Sequence, residues 1–384
     1  MTYSSISRFF PLALVLAATL AVALGISYSE PAAASTVRNA AVPVVTPIAS
    51  GLHNPRGLNF APDGSLYVAE AGGPGAASGN CGLMGDNSVK CSANTGSITR
   101  INLATGTATR VLEGLPSLIS EDGSANGATG VHDVSFNGLG NGYFSIGLGT
   151  NPNNREPYFD DAALNYGRLA RFNPSGKFKF TDDLSGYEAD NNPDQAAAPV
   201  PDSNPYGVLA LPGRVVVADA GGNDLIQVVD GVISTLAVFP RVNRPPGVPP
   251  PVPSVQAVPT SVALGPDGNF YVGQLTGGPF TVGIASVYRV PAYGGEPEVA
   301  YSGFTNIIDL AFGPDGSLYV LEIAATGVPN FGTGRLVRIA TDGTQTTVLG
   351  DLFAPGGVAI GKDGAIYVTV GSITPAGGVL KIEP

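Results

Sequence analysis

Tryptophan is absent from the 384 residues, cysteine, histidine and methionine occur twice each, and only 13 % of positions are charged. The lack of Trp removes the commonest platform on which sugars stack. With only His53 and His132 beside Cys81 and Cys91, a thiolate or imidazole metal centre would have to use nearly every such side chain in the chain. The two cysteines, separated by GLMGDNSVK, are instead expected to form a disulfide closing a small loop if the protein is exported. Basic residues are also scarce. Nineteen Lys and Arg stand against 30 Asp and Glu, a formal charge of −11 that repels phosphate backbones and anionic headgroups, so nucleic acid is excluded as the expected partner. The motifs G-x-S-x-G, G-x-x-x-x-G-K-[ST], H-E-x-x-H and C-x-x-C-H are all missing.

One long apolar run exists, Phe9 to Ile26, preceded by Arg8 and followed by Ala32-Ala33-Ala34. Its interruption by Pro11 and its small-residue exit favour a cleaved secretory leader over residues 1–34 rather than a membrane anchor. No cysteine near the cleavage site is available for lipid attachment. The expected mature product is a secreted, extracytoplasmic monomer without a membrane segment, comprising a short N-terminal segment, 35–41, and one domain, 42–384.

What is abundant is backbone punctuation. Fifty-three Gly and 33 Pro, with 43 % hydrophobic residues, leave enough apolar material for a core but few stretches of helical length. The chain repeats itself six times. PRGLNFAPDGSLYVAEAG from Pro55 recurs from Val131, Pro205, Pro259, Ile307 and Pro355. Aligned on Gly57, Asp133, Gly207, Ser261, Asp309 and Gly357, the copies are 76, 74, 54, 48 and 48 residues apart. Each reads as a hairpin with a turn such as Pro62-Asp63-Gly64, followed by a second hairpin such as RLVRIATDGTQTTVLG from Arg335. Four antiparallel strands per copy predict an all-β, six-bladed β-propeller. The sixth copy ends after its third strand, and VVTPIASGL from Val44 has the pattern of the missing one. An N-terminal strand is therefore expected to complete the last blade and close the ring.

Topology assigns the short turns to one face, the bottom. The long insertions 71–95, 113–129, 147–165, 181–204 and 239–257 belong to the other, the top, where a ligand or partner is expected. Innermost strands would begin there with a first ring, Arg56, His132, Tyr206, Thr260, Ile308 and Gly356, and a second containing Asp133 and Asp309. Arg56, His132, Asp133, Tyr206 and Asp309 are the candidate ligand-binding residues, and His132 is the candidate general base because its ordinary pKa lies near neutrality. At the top ends of the second strands stand Glu70, Asp219, Gln274 and Glu322, oxygen donors that could hold Ca²⁺ in a lactonase-type site. Other roles compete with this. Asp133 and Asp309 belong to opposite blades and are not expected to share an ion, the run ADAGGND suits an Asp219 that bonds its own turn, and such groups also cap strand ends. Tyr206, Tyr158 and Phe159 offer stacking surfaces, and the acidic residues Glu188, Asp190 and Asp194 read as a solvated loop.

Taken in order, these strings resemble one family. ADAGGNDLIQV from Ala218 is similar to an NHL repeat, and NPRGLNFAPDGSLYVAEAG (54–72), TGSITRI (95–101), GLPS (114–117), DSNPYG (202–207), VPTSVALGPDG and GQLTGGPF (258–280) and GFTNIIDLAFGPDGSLYVLEI (303–323) resemble the ScyD/ScyE family of exported NHL-type propellers. The resemblance covers roughly residues 50–384. It implies an extracytoplasmic role in making or exporting an aromatic pigment such as scytonemin, while the one-sided insertions and the missing nucleophile motif point to a binding or scaffold protein recognising a small molecule, polymer or partner on the top face. A Ca²⁺-dependent lactonase or esterase similar to the gluconolactonases is the alternative, and a quinone-dependent dehydrogenase has no visible cofactor motif.

Overall fold

The computed structural model describes residues 43–173, 175–246, 253–327 and 333–383. The expected leader and the segment 35–41 lie outside them. Six four-stranded antiparallel units follow one another as the repeats predict, and together they form a six-bladed β-propeller. Blade 1 uses Pro55–Phe60, Leu66–Glu70, Val89–Asn102 and Thr107–Ile119, with an added strand Cys81–Leu83. The innermost strands of blades 2 to 6 are Val131–Phe136, Pro205–Leu211, Pro259–Leu264, Ile307–Phe312 and Gly357–Ile360. The N-terminal strand Val44–Leu52 pairs antiparallel with Gly377–Glu383, Thr46 opposite Lys381, so the two ends of the chain close the last blade.

Burial explains the low charge. Second strands such as Leu66–Glu70 and Leu318–Glu322 are buried at every position, because each blade is covered on both faces by its neighbours. Aromatic rings fill the wedge between blades 1 and 2, where Tyr67 and Phe136 meet edge to face at 4.9 Å. The closing strand is an outer one and mostly exposed.

The bottom turns repeat one device. Asp63 Oδ1 accepts the Ser65 amide at 2.9 Å and Asp315 Oδ1 that of Ser317 at 3.0 Å, while Gly64 and Gly316 take φ of 83° and 80°, a conformation costly for a residue with a Cβ. The top insertions are more structured than an all-β reading implies. They contain the helices Arg155–Phe159 and Leu184–Asn191 and the 3₁₀ turns Pro152–Asn154 and Asp160–Asn165. Local capping accounts for the longer helix: Asp183 accepts the Gly186 amide at 2.9 Å, and Asn192 ends it in the left-handed region. Residues 89–95 and 113–119 extend the outer hairpin of blade 1 rather than looping freely.

Candidate functional site

Three neighbouring blades place Arg56, His132 and Tyr206 side by side at the start of their innermost strands. Arg56 donates to Tyr206 Oη at 3.3 Å and to the Ala128 carbonyl at 2.9 Å. The His132 ring stacks on Tyr206 with centroids 4.3 Å apart, and its Nδ1 lies 3.1 Å from the Pro205 carbonyl oxygen. All three are buried. Burial first, then the Arg56 charge, pushes the His132 pKa down to about 3. The imidazole is therefore neutral across the physiological range and too weakly basic for the role its ordinary pKa suggested. Burial and the Arg56 charge both work against the general-base role expected of His132.

One step along the strands, Asp133 and Asp309 stand in the channel wall. Each receives two backbone amides, one from its own blade and one from the next: Val134 and Val208 at 2.8 Å for Asp133, and Leu310 and Val358 at 2.8 and 2.7 Å for Asp309. They stitch blade 2 to blade 3 and blade 5 to blade 6. Glycine is needed opposite Asp133, since a side chain at Gly57 would overlap its carboxylate. Burial raises both carboxyl pKa values, and the Asp309 charge raises that of Asp133 further, so the two sense one another. They line a cavity of about 320 Å³ whose walls are the later halves of the innermost strands, such as Leu310–Phe312 and Val358–Ile360. This cavity faces the bottom, away from the insertions.

The ends of the second strands are tied down locally. Glu70 accepts the His53 amide at 2.6 Å, the Thr99 hydroxyl, and Arg110 at 2.8 Å. Glu322 repeats this in blade 5 with the Thr305 amide at 2.7 Å and Arg335 at 2.5 Å. Asp219 takes Ser203 Oγ at 2.7 Å and the amides of Asn204, Gly221 and Gly222 at 2.6, 3.0 and 3.1 Å, and Gln274 Oε1 takes the Ser286 amide at 2.8 Å. Glu70, Glu322 and Asp219 fasten the chain entering their own blades, and Gln274 ties down the start of the third strand of its blade. Among the described residues no group of three or more His, Cys, Asp and Glu side chains is set to hold a metal ion. The channel carboxylates thus do not fit a Ca²⁺ centre of the lactonase kind, each being spent on backbone amides or a guanidinium.

On the top face, Cys81 and Cys91 are joined by a disulfide across directly paired strand positions. Beside this hairpin, residues 76–80 and 92–95 and the turn Phe159–Ala162 enclose an open cavity of about 480 Å³. Ser78, Asn80, Asn94 and Thr95 supply hydroxyl and amide groups, and Asp160 and Asp161 add negative charge. Of the aromatic residues expected to stack on a ligand, Phe159 alone is among those lining this cavity, and its ring is not exposed to it. Phe159 is fully buried and packs against Tyr166 at 5.1 Å, Tyr158 lies over Gly82, and Tyr206 is taken by His132.

Two features were not apparent in the sequence. Lys90, on the disulfide hairpin, is buried with no ion pair among the described residues, donates to the Gly127 carbonyl, and has its pKa lowered by burial and then Arg56 to about 8, against a smaller upward pull from Asp86. Glu188 and Asp194 are also buried, whereas Asp190 is exposed, so the expected solvated loop is instead packed onto blade 3. A short acidic run carries no periodic signal that distinguishes these cases.

No family model and no curated protein matches this chain. Among solved structures it is similar to a gluconolactonase from Xanthomonas campestris, at 10 % identity and a TM-score of 0.52 over 89 % of this chain and 90 % of that one. A second protein assigned to the gluconolactonases gives 14 % identity and a TM-score of 0.52 over 90 % and 93 %. The quinone-bound aldose sugar dehydrogenase of Streptomyces coelicolor follows at 12 % and 0.49 over 89 % and 98 %. At such identities the likeness is one of fold, the six-bladed propeller.

Proposed function

We propose that this chain is an exported binding protein of the ScyD/ScyE, NHL-type kind, acting as a monomer, whose elaborated face takes up a small polar molecule or a segment of polymer. The observation that carries this reading is the cavity of about 480 Å³ between the disulfide hairpin and the turn Phe159–Ala162. Rigid blades hold loops that are themselves ordered by a disulfide, helix caps and buried aromatics, the usual way a binding surface is built on a propeller. Its lining favours a neutral or cationic, hydroxyl-bearing ligand. A flat aromatic pigment would find no exposed ring to stack on among the residues lining this cavity, so the pigment handling that the family resemblance suggests falls on a polar partner or precursor. The lactonase alternative draws on the fold neighbours alone, since His132 and the channel carboxylates are engaged internally.

The test is ligand-observed NMR of the secreted protein against a panel of oligosaccharides, polyols and amines, with a parallel assay of lactone hydrolysis. Binding to one class, lost in Asn94→Phe, which fills the cavity from an exposed position, is expected. Chelator-sensitive lactone hydrolysis that disappears in His132→Gln, with no panel binding, would overturn the reading.

A further inference from the structure

A second concentration of chemistry lies away from both the channel and the top-face cavity. The insertion 181–204 folds the helix Leu184–Asn191 and the turns after it over the tight turn Ala220–Asn223 of blade 3. Five carboxylates meet there: Glu188, Asp194 and Asp202 from the insertion, Asp219 and Asp224 from the two strands that the turn joins. Glu188, Asp194, Asp219 and Asp224 are each at most 4 % exposed. No Lys, Arg or His forms an ion pair with any of the five among the described residues. Arg241, the cation whose charge reaches Asp194, is too distant to pair with it.

Their hydrogen bonding divides them in two. Asp219 is saturated by four donors, and Asp194 Oδ2 holds the Asn223 amide nitrogen at 2.8 Å. Asp224, 1 % exposed, has no hydrogen-bond partner among the described residues for either carboxylate oxygen. Glu188 Oε1, Asp202 Oδ1 and the side-chain oxygen of Asn192 are likewise buried without a donor. Two of these side chains approach one point: a Cβ built on Gly222 would lie 3.1 Å from Glu188 Oε2 and 3.2 Å from Asp224 Oδ1. Glycine at this position leaves open the space between the two carboxylates.

Buried acceptors gathered without donors or counter-charge are unstable as anions, since each desolvated carboxylate costs several kcal/mol unless something positive joins it. Two species can supply the positive charge, a proton or a metal cation. A proton on Asp224 could be donated to one neighbouring carboxylate or amide oxygen, which pairs two of these buried oxygens and leaves the others without a donor. A hard cation satisfies several of these oxygens at once. We propose that this corner of blade 3 is a divalent-cation site, of Ca²⁺ type, in which Glu188 and Asp224 are the protein's charged ligands. No third carboxylate is set at ligand distance, so water and small movements of Asp202 and Asn192 complete the shell. The cation pins the insertion to blade 3, a structural role independent of whatever the top-face cavity binds.

The experiment uses the full secreted chain, dialysed against chelator and titrated calorimetrically with Ca²⁺, Mg²⁺ and Mn²⁺, with thermal melting alongside. One Ca²⁺ per chain is expected, with a Kd of about 10⁻⁴ to 10⁻³ M, the range of extracellular modules with few ligands, and a rise in Tm on adding it. Asp224→Asn and Glu188→Gln should each weaken Ca²⁺ binding by at least about tenfold, as loss of a charged ligand does. Asp190→Asn, an exposed acid on the same helix, should leave it unchanged. Because Asp224→Asn also removes buried charge, its chelated form should melt no lower than the chelated wild type, which shows that it folds. If no cation binds and the melting point instead rises steadily as the pH is lowered from 8 to 5, protons neutralise the cluster and the proposal fails. It fails equally if Ca²⁺ binds but the Asp224→Asn and Glu188→Gln variants bind it as well as the wild type.

Discussion

One ion pair fastens the chain where it passes from the closing strand into blade 1, and its removal is predicted to be costly. Arg110 gives Glu70 two bonds, of 3.1 and 2.8 Å, and a third, of 3.1 Å, to the Gly51 carbonyl. Glu70 in turn accepts the His53 amide, so together the pair fastens the segment leading from the closing strand into blade 1. The Glu70 side chain is 0 % exposed and that of Arg110 30 % exposed. Arg110→Met therefore strands a carboxylate that water cannot reach, a loss of about 3–5 kcal/mol. Adding Glu70→Gln to that variant removes the charge yet keeps an acceptor for His53, and should restore about 2 kcal/mol. Urea denaturation reads both, with an unchanged m-value showing that the same surface unfolds. A cost below about 1 kcal/mol for Arg110→Met would refute the reasoning, since surface pairs fall in that range. So would a double variant less stable than Arg110→Met alone. The response to chelator should be the same in Glu70→Gln as in the wild type, because Glu70 is committed to Arg110 and not to a metal.

Deleting residues 43–52 should leave Gly377–Glu383 as an unpaired edge, giving a product that aggregates or melts without cooperativity; normal yield and melting of the truncation would contradict ring closure. His132 has a folded-state pKa below its unfolded value of 6.5, so its neutral form contributes stability that is complete above pH 6.5 and is lost as the pH falls toward 3. Its imidazole proton resonances should accordingly not move between pH 5 and 8, and a titration near 6.5 would show that the Arg56–Tyr206 cluster is open to water.

The fold was legible in the sequence because its signals are repeated. The Asp-Gly turns, the β-branched runs and the unmatched third strand at Gly377 recur or complete a recurrence, and register follows from them without tertiary knowledge. The first ring was legible for the same reason: Arg56, His132 and Tyr206 hold equivalent positions in successive copies, and neighbours in the repeat became neighbours in space. What could not be read was what each side chain would meet. His132 has the residue type of a base, but the adjacent guanidinium and its own burial, both products of three blades meeting, remove that capacity. The insertions lie outside the repeat altogether, and their short helices follow from caps such as Asp183 that compete with many similar turn signals.

The acidic residues show why composition is a poor guide to chemistry on this scaffold. Glu70, Glu322, Asp219 and Asp224 all stand where a blade's strand meets a top connection, and by position alone they are equivalent candidates. Glu70 and Glu322 acquire an arginine from an outer strand, and Asp219 acquires the amides of its own Gly221 and Gly222. Asp224 acquires no donor among the described residues, because the chain that covers it brings Glu188 and Asp202 instead. Charge balance therefore separates the three satisfied carboxylates, which hold the propeller together, from the one that requires a ligand the chain does not supply. By the same reasoning, the channel aspartates belong with the structural set, since each already holds two amides. A cation sought at the centre of this ring is thus expected at its rim instead, between the helix Leu184–Asn191 and blade 3.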